Sequence, residues 1–417
     1  MRRRTNSVGA LGLLLLLVAA FVPAAGLAGS AGSSQTTTVT LAGWASSPEE
    51  TAALQRTIAQ FERLNRNIDV DYTPISGDYD AAMLARFAAK RPPDVFYVDS
   101  LDLFDYQPAL EPLNGYIQRT RNWSTRVFYT RLLNGFSING QIYGFPKDWS
   151  PLGLIANGQM LQRAGVTVPR GAPATWAQLT QMMQRLRTTN AVPGGAPACL
   201  ALDWARILAF VYQNGGAWVN PARTRSVINS PQNRVTLNTY LGWLRSGLAQ
   251  TPAQLGVGWC GEAIGKEKAA IVFEGNWIYG YLQKDFPSVR FTVNPMVRGK
   301  ARGNLGFTVS YSIGKESQNK KAAWQLLRFL VGKQGQSVWV KNSGFLPSRN
   351  DVTPPAGRAS FLREAPSARP WQFVKGFQRV LDFAGKELEA TYNGDQSVAQ
   401  MLADINRETQ DAINRSR

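Results

Sequence analysis

Between Thr37 and Asp99, short strand-like runs alternate with amphipathic helical stretches, and this alternation restricts the fold more than any other feature of the chain. Thr37 to Leu41 (TTVTL) switches between polar and apolar with the period of two that a strand requires. Ser47-Pro48-Glu49-Glu50 then supplies an N-cap hydroxyl, a proline at the first helical position and a capping-box acid. Leu54, Ile58, Phe61 and Leu64 follow at helical spacing. A strand at Ile68 to Tyr72, a helix around Tyr79 to Lys90 and a strand in PPDVFYVD complete the series. Strand, helix, strand, helix, strand is the pattern of an α/β fold built on a parallel sheet.

A second series begins after Tyr143-Gly144-Phe145-Pro146. It has a strand at Leu152 to Ala156, a helix opened by Thr175-Trp176, a strand at Cys199 to Leu202 and a helix opened by Ser230-Pro231. Ala269 to Phe273 and VRFTVNPM supply two more strands. GFTVSYSI reads as another, followed by one amphipathic helix from Lys320 to Val340, a break at GFLPSRND and a final helix from Ser397 to Asn414. The 417 residues suffice for two cores, because a single core stops growing near ~250 to 300 residues.

Arg2, Arg3 and Arg4 precede an apolar stretch from Val8 to Val22 and small residues up to Ala31. That layout is a secretory signal, so residues 1–31 are set apart from the fold, with an uncleaved anchor as the alternative. The expected location is across the cytoplasmic membrane, periplasmic or extracellular and membrane-associated. No cysteine follows the apolar stretch to carry a lipid. In such an oxidising compartment Cys199 and Cys260 are candidates for a disulfide, which would close a loop of about 60 residues and contribute ~4 kcal/mol. Two buried thiols are the alternative.

The chain has no histidine, which removes imidazole-activated nucleophiles and the usual His-containing metal sites. Carboxylate, lysine or tyrosine chemistry survives, as does binding without chemistry. The formal charge of +18 falls to about +15 once the three leader arginines are set aside. Lys and Arg are spread along the chain and form no basic run, so no nucleic-acid partner is expected; the charge suits anionic lipid or wall polymers. Asp99, Asp102 and Asp105 do not match an EF-hand loop and read as a solvated helix start. Neither a metal nor a cofactor is expected.

The order of several motifs resembles the extracellular solute-binding proteins of ATP-binding cassette importers, in the carbohydrate-binding group that includes maltose-binding protein. The matching pieces are the early strand ending in GW before a capped helix, PDVFYVD, YGFPKDWSPLGLIAN, ATWAQL, GKEKAAIVFEGNW, and KKAAWQLLRFL followed by GFLPS. The resemblance implies a two-lobe α/β fold, periplasmic-binding-protein-like, with three interlobe crossings and a ligand cleft between the lobes. The crossings would lie near Pro146 to Ser150, Arg302 to Gly306 and Leu346 to Val352. Lobe one would combine 36–147 with 306–349, and lobe two 150–303 with 352–417. It further implies a monomer that is not an enzyme, captures a mono- or oligosaccharide by lobe closure and delivers it to membrane permease subunits.

In open α/β sheets, ligands sit beyond the carboxyl ends of the strands. That rule selects Glu274, Asn276 and Trp277 after AAIVF, Trp44 and Ser46 after the first strand, and Asp99 after PDVFYV. It also selects Asp148 and Trp149 at the first crossing, and Asp203 and Trp204 after CLAL. Tyr311 and Arg349 are added for their nearness to the second and third crossings. Indoles beside carboxylates and amides suit a pyranose, whose C–H face packs on a ring and whose hydroxyl rim takes hydrogen bonds. Two other readings use the same residue types: a binding protein for a glycerol phosphodiester or another polar solute, and a glycoside hydrolase working with two carboxylates.

Overall fold

The opening strand runs further than its alternation requires, over Thr37–Trp44, in this computed structural model, which describes residues 36–44, 48–169, 172–371 and 373–416. The signal reading of residues 1–31 lies outside the described residues. Thr37–Trp44 pairs in parallel with Ile68–Ile75 on one side and Val95–Asp99 on the other. Val309–Ile313 adds to Val95–Asp99 antiparallel, and Gly144–Pro146 closes this five-stranded sheet. The sheet is therefore mixed, because one of its strands returns from the far half of the sequence.

A second five-stranded sheet has the order Ala249–Gln250, Ala196–Cys199, Ala269–Glu274, Gly153–Asn157, Phe291–Asn294. Its first three strands are parallel, and Gly153–Asn157 runs against Ala269–Glu274. Val95–Val98 and the whole of Ala269–Glu274 are buried, as continuous apolar strands between helical layers must be. Each sheet has its own core. Leu41, Leu54, Phe61, Val98 and Leu327 belong to the first, and Leu154, Ile207, Leu237, Ile271 and Met401 to the second.

Between them lies a sheet of four short strands in the order Leu346–Pro347, Asp148–Pro151, Asn304–Phe307, Ala368–Arg369. Leu346 pairs with Trp149, Phe307 with Ser150, and Asn304 with Ala368. The three segments that join the lobes are thus bonded to one another. Buried Asn304 reinforces the joint: its Oδ1 accepts from Leu152 N at 3.1 Å and its Nδ2 donates to Leu152 O at 2.8 Å.

Helix boundaries follow the caps. Ser230 and Ser397 cap Pro231–Arg245 and Val398–Arg415, and Thr175 forms a full capping box with Gln178. The single helix expected from Lys320 to Val340 is two, Lys320–Leu330 and Lys333–Ser343. Gly332 breaks it with an extended backbone, at a place where a Cβ would stand 2.6 Å from Arg328 O. The strand expected at Cys199 to Leu202 lies earlier, at Ala196–Cys199, which leaves Leu200 to Leu202 as the loop that delivers Asp203. A helix over Phe377–Asn393 was not foreseen; it starts from Gly376 at φ 72°, without a side-chain cap. Cys199 and Cys260 form a disulfide that ties the end of Ala196–Cys199 to the helix Cys260–Gly265. Among the described residues no helix is long and apolar enough to cross a membrane.

Candidate functional site

Ala269–Glu274 ends on a carboxylate that is only 1% exposed. Arg206 Nη2 donates to Glu274 Oε2 at 2.7 Å, and Trp277 Nε1 donates to the same oxygen at 3.0 Å. Arg206 is aimed there by the start of its helix, Trp204–Gln213: the N-cap Asp203 accepts from Arg206 N through Oδ1 at 2.8 Å and from Nη1 through Oδ2 at 3.2 Å. The guanidinium lies 5.9 Å from the Trp277 ring centroid, and Phe307 meets that ring edge-on at 5.2 Å. Burial raises the Glu274 carboxyl above its ordinary range, and Arg206 pulls the other way. Burial lowers Arg206, but Glu274 and Asp203 outweigh it and hold the guanidinium charged.

The glycine inside EGNW has a steric reason: a Cβ on Gly275 would overlap the Trp277 ring and crowd Ser150 Oγ. Asn276 is fixed twice, its backbone N donating to Ser150 Oγ at 2.6 Å and its Nδ2 to Gly344 O at 2.9 Å. The loop after this strand is therefore anchored to the first crossing and to the start of the third.

A second polar group is built on Lys147 and Asp148, at the start of Asp148–Pro151. Lys147 Nζ lies 2.8 Å from Glu50 Oε1 and 2.8 Å from Asp148 Oδ2, over the Trp339 ring at 4.2 Å and the Tyr97 ring at 5.2 Å. Trp339 Nε1 donates to Asp148 Oδ2 at 3.1 Å. Tyr311 and Trp44 both meet Tyr97 edge-on, at 5.4 and 5.2 Å. Burial works against the Lys147 charge, but Asp148 and Glu50 overcome it and raise the ammonium above its usual range. Asp148 is raised by burial, with Lys147 opposing. Two buried carboxylates face this ammonium, so the group holds its lysine charged.

Glu274, Asn276, Trp277 and Asp203 thus come together with Arg206, and Asp148, Tyr311 and Trp44 with Lys147. The other candidates are placed differently, and Ser46 lies outside the described residues. Trp149 is 1% exposed and faces away from Asp148, because neighbours on a strand point to opposite sides. Its ring joins a core with Leu132, Ile155, Leu346 and Phe361 and packs 5.4 Å from Tyr129. Trp204 turns into the second lobe, 4.7 Å from Trp218, and donates to Ala384 O at 2.9 Å. Arg349 is buried in a fork with Asp351, at 2.8 Å from each carboxylate oxygen.

The helix start at Asp99, Asp102 and Asp105 is not solvated as expected. Burial and Asp80 push Asp99 up to about 6, against the Leu101 N–H that its carboxylate accepts, and burial followed by Asp99, Asp80 and Asp105 pushes Asp102 up to about 8. Asp105 accepts from Gly376 N at 3.0 and 3.1 Å, and Leu101 packs on the second core, so this loop does meet the other lobe. Among the described residues no cluster of acids and cysteines is placed to hold a metal ion.

Sequence reasoning missed Arg206, Lys147 and Trp339. Arg206 stands three positions after Asp203 and Lys147 directly before Asp148, so spacing could have pointed to both.

The family model for bacterial extracellular solute-binding proteins matches residues 44–337. An ABC substrate-binding protein of Listeria monocytogenes, solved in complex with cycloalternan, superposes with a TM-score of 0.80 at 21% identity, covering 91% of this chain and 99% of that one. The sugar-binding protein MalE of Xanthomonas citri gives 0.78 at 21% identity, covering 91% of this chain and 98% of its own. UgpB of Mycobacterium tuberculosis, solved with glycerophosphocholine, gives 0.77 at 17% identity, covering 90% of this chain and 98% of its own. At these identities the structural likeness speaks for the fold.

Proposed function

Because the chain belongs to the bacterial extracellular solute-binding proteins, we propose that it captures a mono- or oligosaccharide between its lobes and hands it unaltered to the permease subunits of an ATP-driven importer. The observation that carries this reading is the indole, guanidinium and two carboxylates gathered beyond the end of Ala269–Glu274, beside a sheet made of the three crossings. We assign 36–147 with 306–349 to lobe one and 150–303 with 352–417 to lobe two.

In this reading the exposed face of Trp277 takes the C–H face of a pyranose, with Trp44 opposite on the first lobe. Asp203, whose side chain is 38% exposed, and Arg206 take the hydroxyl rim. Glu274 and Asn276 act as positioning residues, since their polar atoms hold Arg206, Trp277 and the crossings. A Glu274 carboxylate engaged by a guanidinium and an indole N–H suits holding better than proton transfer, which favours binding over hydrolysis. Solute would favour the closed arrangement in proportion to its differential affinity for it. Contacts such as Asp105 with Gly376 are made only when the lobes meet.

Thermal-shift screening of mono-, di- and oligosaccharides against glycerol phosphodiesters, followed by calorimetry, tests the proposal. A native-state ligand at 100 times its Kd stabilises by ~2.7 kcal/mol, enough to read as a raised Tm. One sugar class should respond. A response to a phosphodiester alone would transfer the site to that solute, and release of reducing sugar from an oligosaccharide would overturn the binding-only reading.

A further inference from the structure

At the edge of the four-stranded sheet, away from Glu274, lies a pocket of about 270 Å³ with room for several waters at ~30 Å³ each. One wall is the helix Thr130–Asn134, with Arg131 and Asn134; the other brings Tyr212, Arg223 and Arg369. The walls are close because Gly135 lets Pro370 in: a Cβ there would stand 2.8 Å from Pro370 Cγ. Among the described residues, three arginines line the pocket and no aspartate or glutamate does. A neighbouring hollow shares Asn134 and Arg223 and adds Arg126, again with no acid among the described residues that line it.

Two of the three guanidiniums lie over rings. Arg369 lies 4.8 Å from the Tyr212 centroid and Arg223 5.2 Å from Phe104. A cation–π contact uses the flat face of a guanidinium, which suits its N–H edge to an acceptor. Arg223 adopts a left-handed backbone at φ 56°, uncommon for a long side chain. Asn220 fixes that turn, its Oδ1 accepting from Thr224 N at 2.8 Å and Arg225 N at 3.0 Å. Burial lowers the Arg223 pKa, the sign of a cation taken partly out of water.

We propose that this pocket binds a phosphate-type oxyanion, free or as a phosphate monoester, and that the anion bridges Arg131 to Arg369 across the edge of the hinge sheet. Like charges gathered in one hollow repel, and a dianion relieves that repulsion while matching the guanidinium fork. Arg131 belongs to the first lobe and Arg369 to the second on the lobe boundaries proposed above, so the bridge would bias the lobe angle. The binding claim itself does not need those boundaries.

The test is calorimetric titration at pH 7.5 with inorganic phosphate and, separately, glycerol 3-phosphate, against sodium chloride at matched ionic strength. Phosphate at 10 mM should raise the Tm by a few degrees where chloride does not, and Arg131→Ser with Arg369→Ser should weaken binding at least tenfold. Both arginines are exposed, so the pair should fold, which an unchanged Tm in chloride checks. The corresponding Lys pair keeps the charge and loses the fork; it should bind at an intermediate level. Response to only one of the two anions supports the site and identifies the source. A chloride effect equal to that of phosphate, or phosphate binding unchanged in the Ser pair, overturns the proposal. Retained sugar response in the same variants separates this outcome from failure of the solute site.

Discussion

Replacing Lys147 by methionine probes the buried charge group directly, because it removes the one cation and keeps most of the volume. Lys147 is 4% exposed and faces two carboxylates at 2.8 Å, themselves 7% and 10% exposed. At an effective dielectric of about 20, each contact is worth roughly 6 kcal/mol before desolvation is subtracted. Leaving Glu50 and Asp148 without their cation should cost about 3–5 kcal/mol of stability near neutral pH. In a chain of this length that corresponds to a Tm lower by roughly 3–6 °C. The deficit must depend on pH with a definite sign. Asp148 is raised by burial with Lys147 opposing, so loss of the cation lifts its folded pKa further above its unfolded value of ~4, and the folded variant binds an extra proton in that window. Its stability should fall as pH rises from about 4 toward 8 and recover on acidification. Urea unfolding of wild type and Lys147→Met at pH 5.0, 6.5 and 8.0 reads both quantities. Adding Glu50→Gln and Asp148→Asn should restore much of the loss. A deficit under about 1 kcal/mol at pH 8.0, or one that is equal at all three values, would refute the account.

At the solute site, Trp277→Ala should raise the calorimetric Kd for the responding sugar at least tenfold, from ~1.5 kcal/mol of lost ring contact; a change under threefold would remove Trp277 from the site. Cys199→Ser with Cys260→Ser should lower stability by ~4 kcal/mol in urea, and reductant should reproduce that in the wild type but not in the variant. Asp99 and Asp102, pushed up to about 6 and about 8, bind protons in the folded state that the unfolded chain has released. The wild-type Tm should therefore rise as pH falls from about 8 toward 5, and Asp102→Asn should flatten the curve; an unchanged slope would locate the titration elsewhere.

The alternation of strands and helices was legible because it is local: a period of two, a period of 3.6, and caps such as Ser230, Thr175 and Ser397 stand in consecutive residues. Placement at strand ends was equally legible, which is why Glu274, Trp277 and Asp203 fall in one cluster. Orientation was not. Asp148 and Trp149 were both assigned to the cleft, yet a strand can send only one of two neighbours there. Asp203 and Trp204 divide in a similar way, the cap staying at the surface while the first helical residue turns inward. Reading each Asp-Trp pair with the geometry of its element would have kept the acids and set both indoles in cores.

Neighbours supply only part of each polar group, Lys147 beside Asp148 and Arg206 three positions after Asp203; the other partners stand far off in sequence. Glu274 is matched by Arg206 at a separation of 68 residues, Lys147 by Glu50 at 97, and Asp148 by Trp339 at 191. Each pairing spans segments that meet only once the crossings are in register, so the polar groups exist only in the folded topology. Asp148–Pro151 makes that dependence mechanical. Asp148 and Ser150 hold the charged group and the loop of Asn276, while Trp149 between them is set in the core shared by the crossings and the second sheet. A change in lobe angle that tilts this strand must therefore move Asp148 against Lys147 and Ser150 against Asn276 together. The strand thereby couples the loop of Asn276 to the buried lysine.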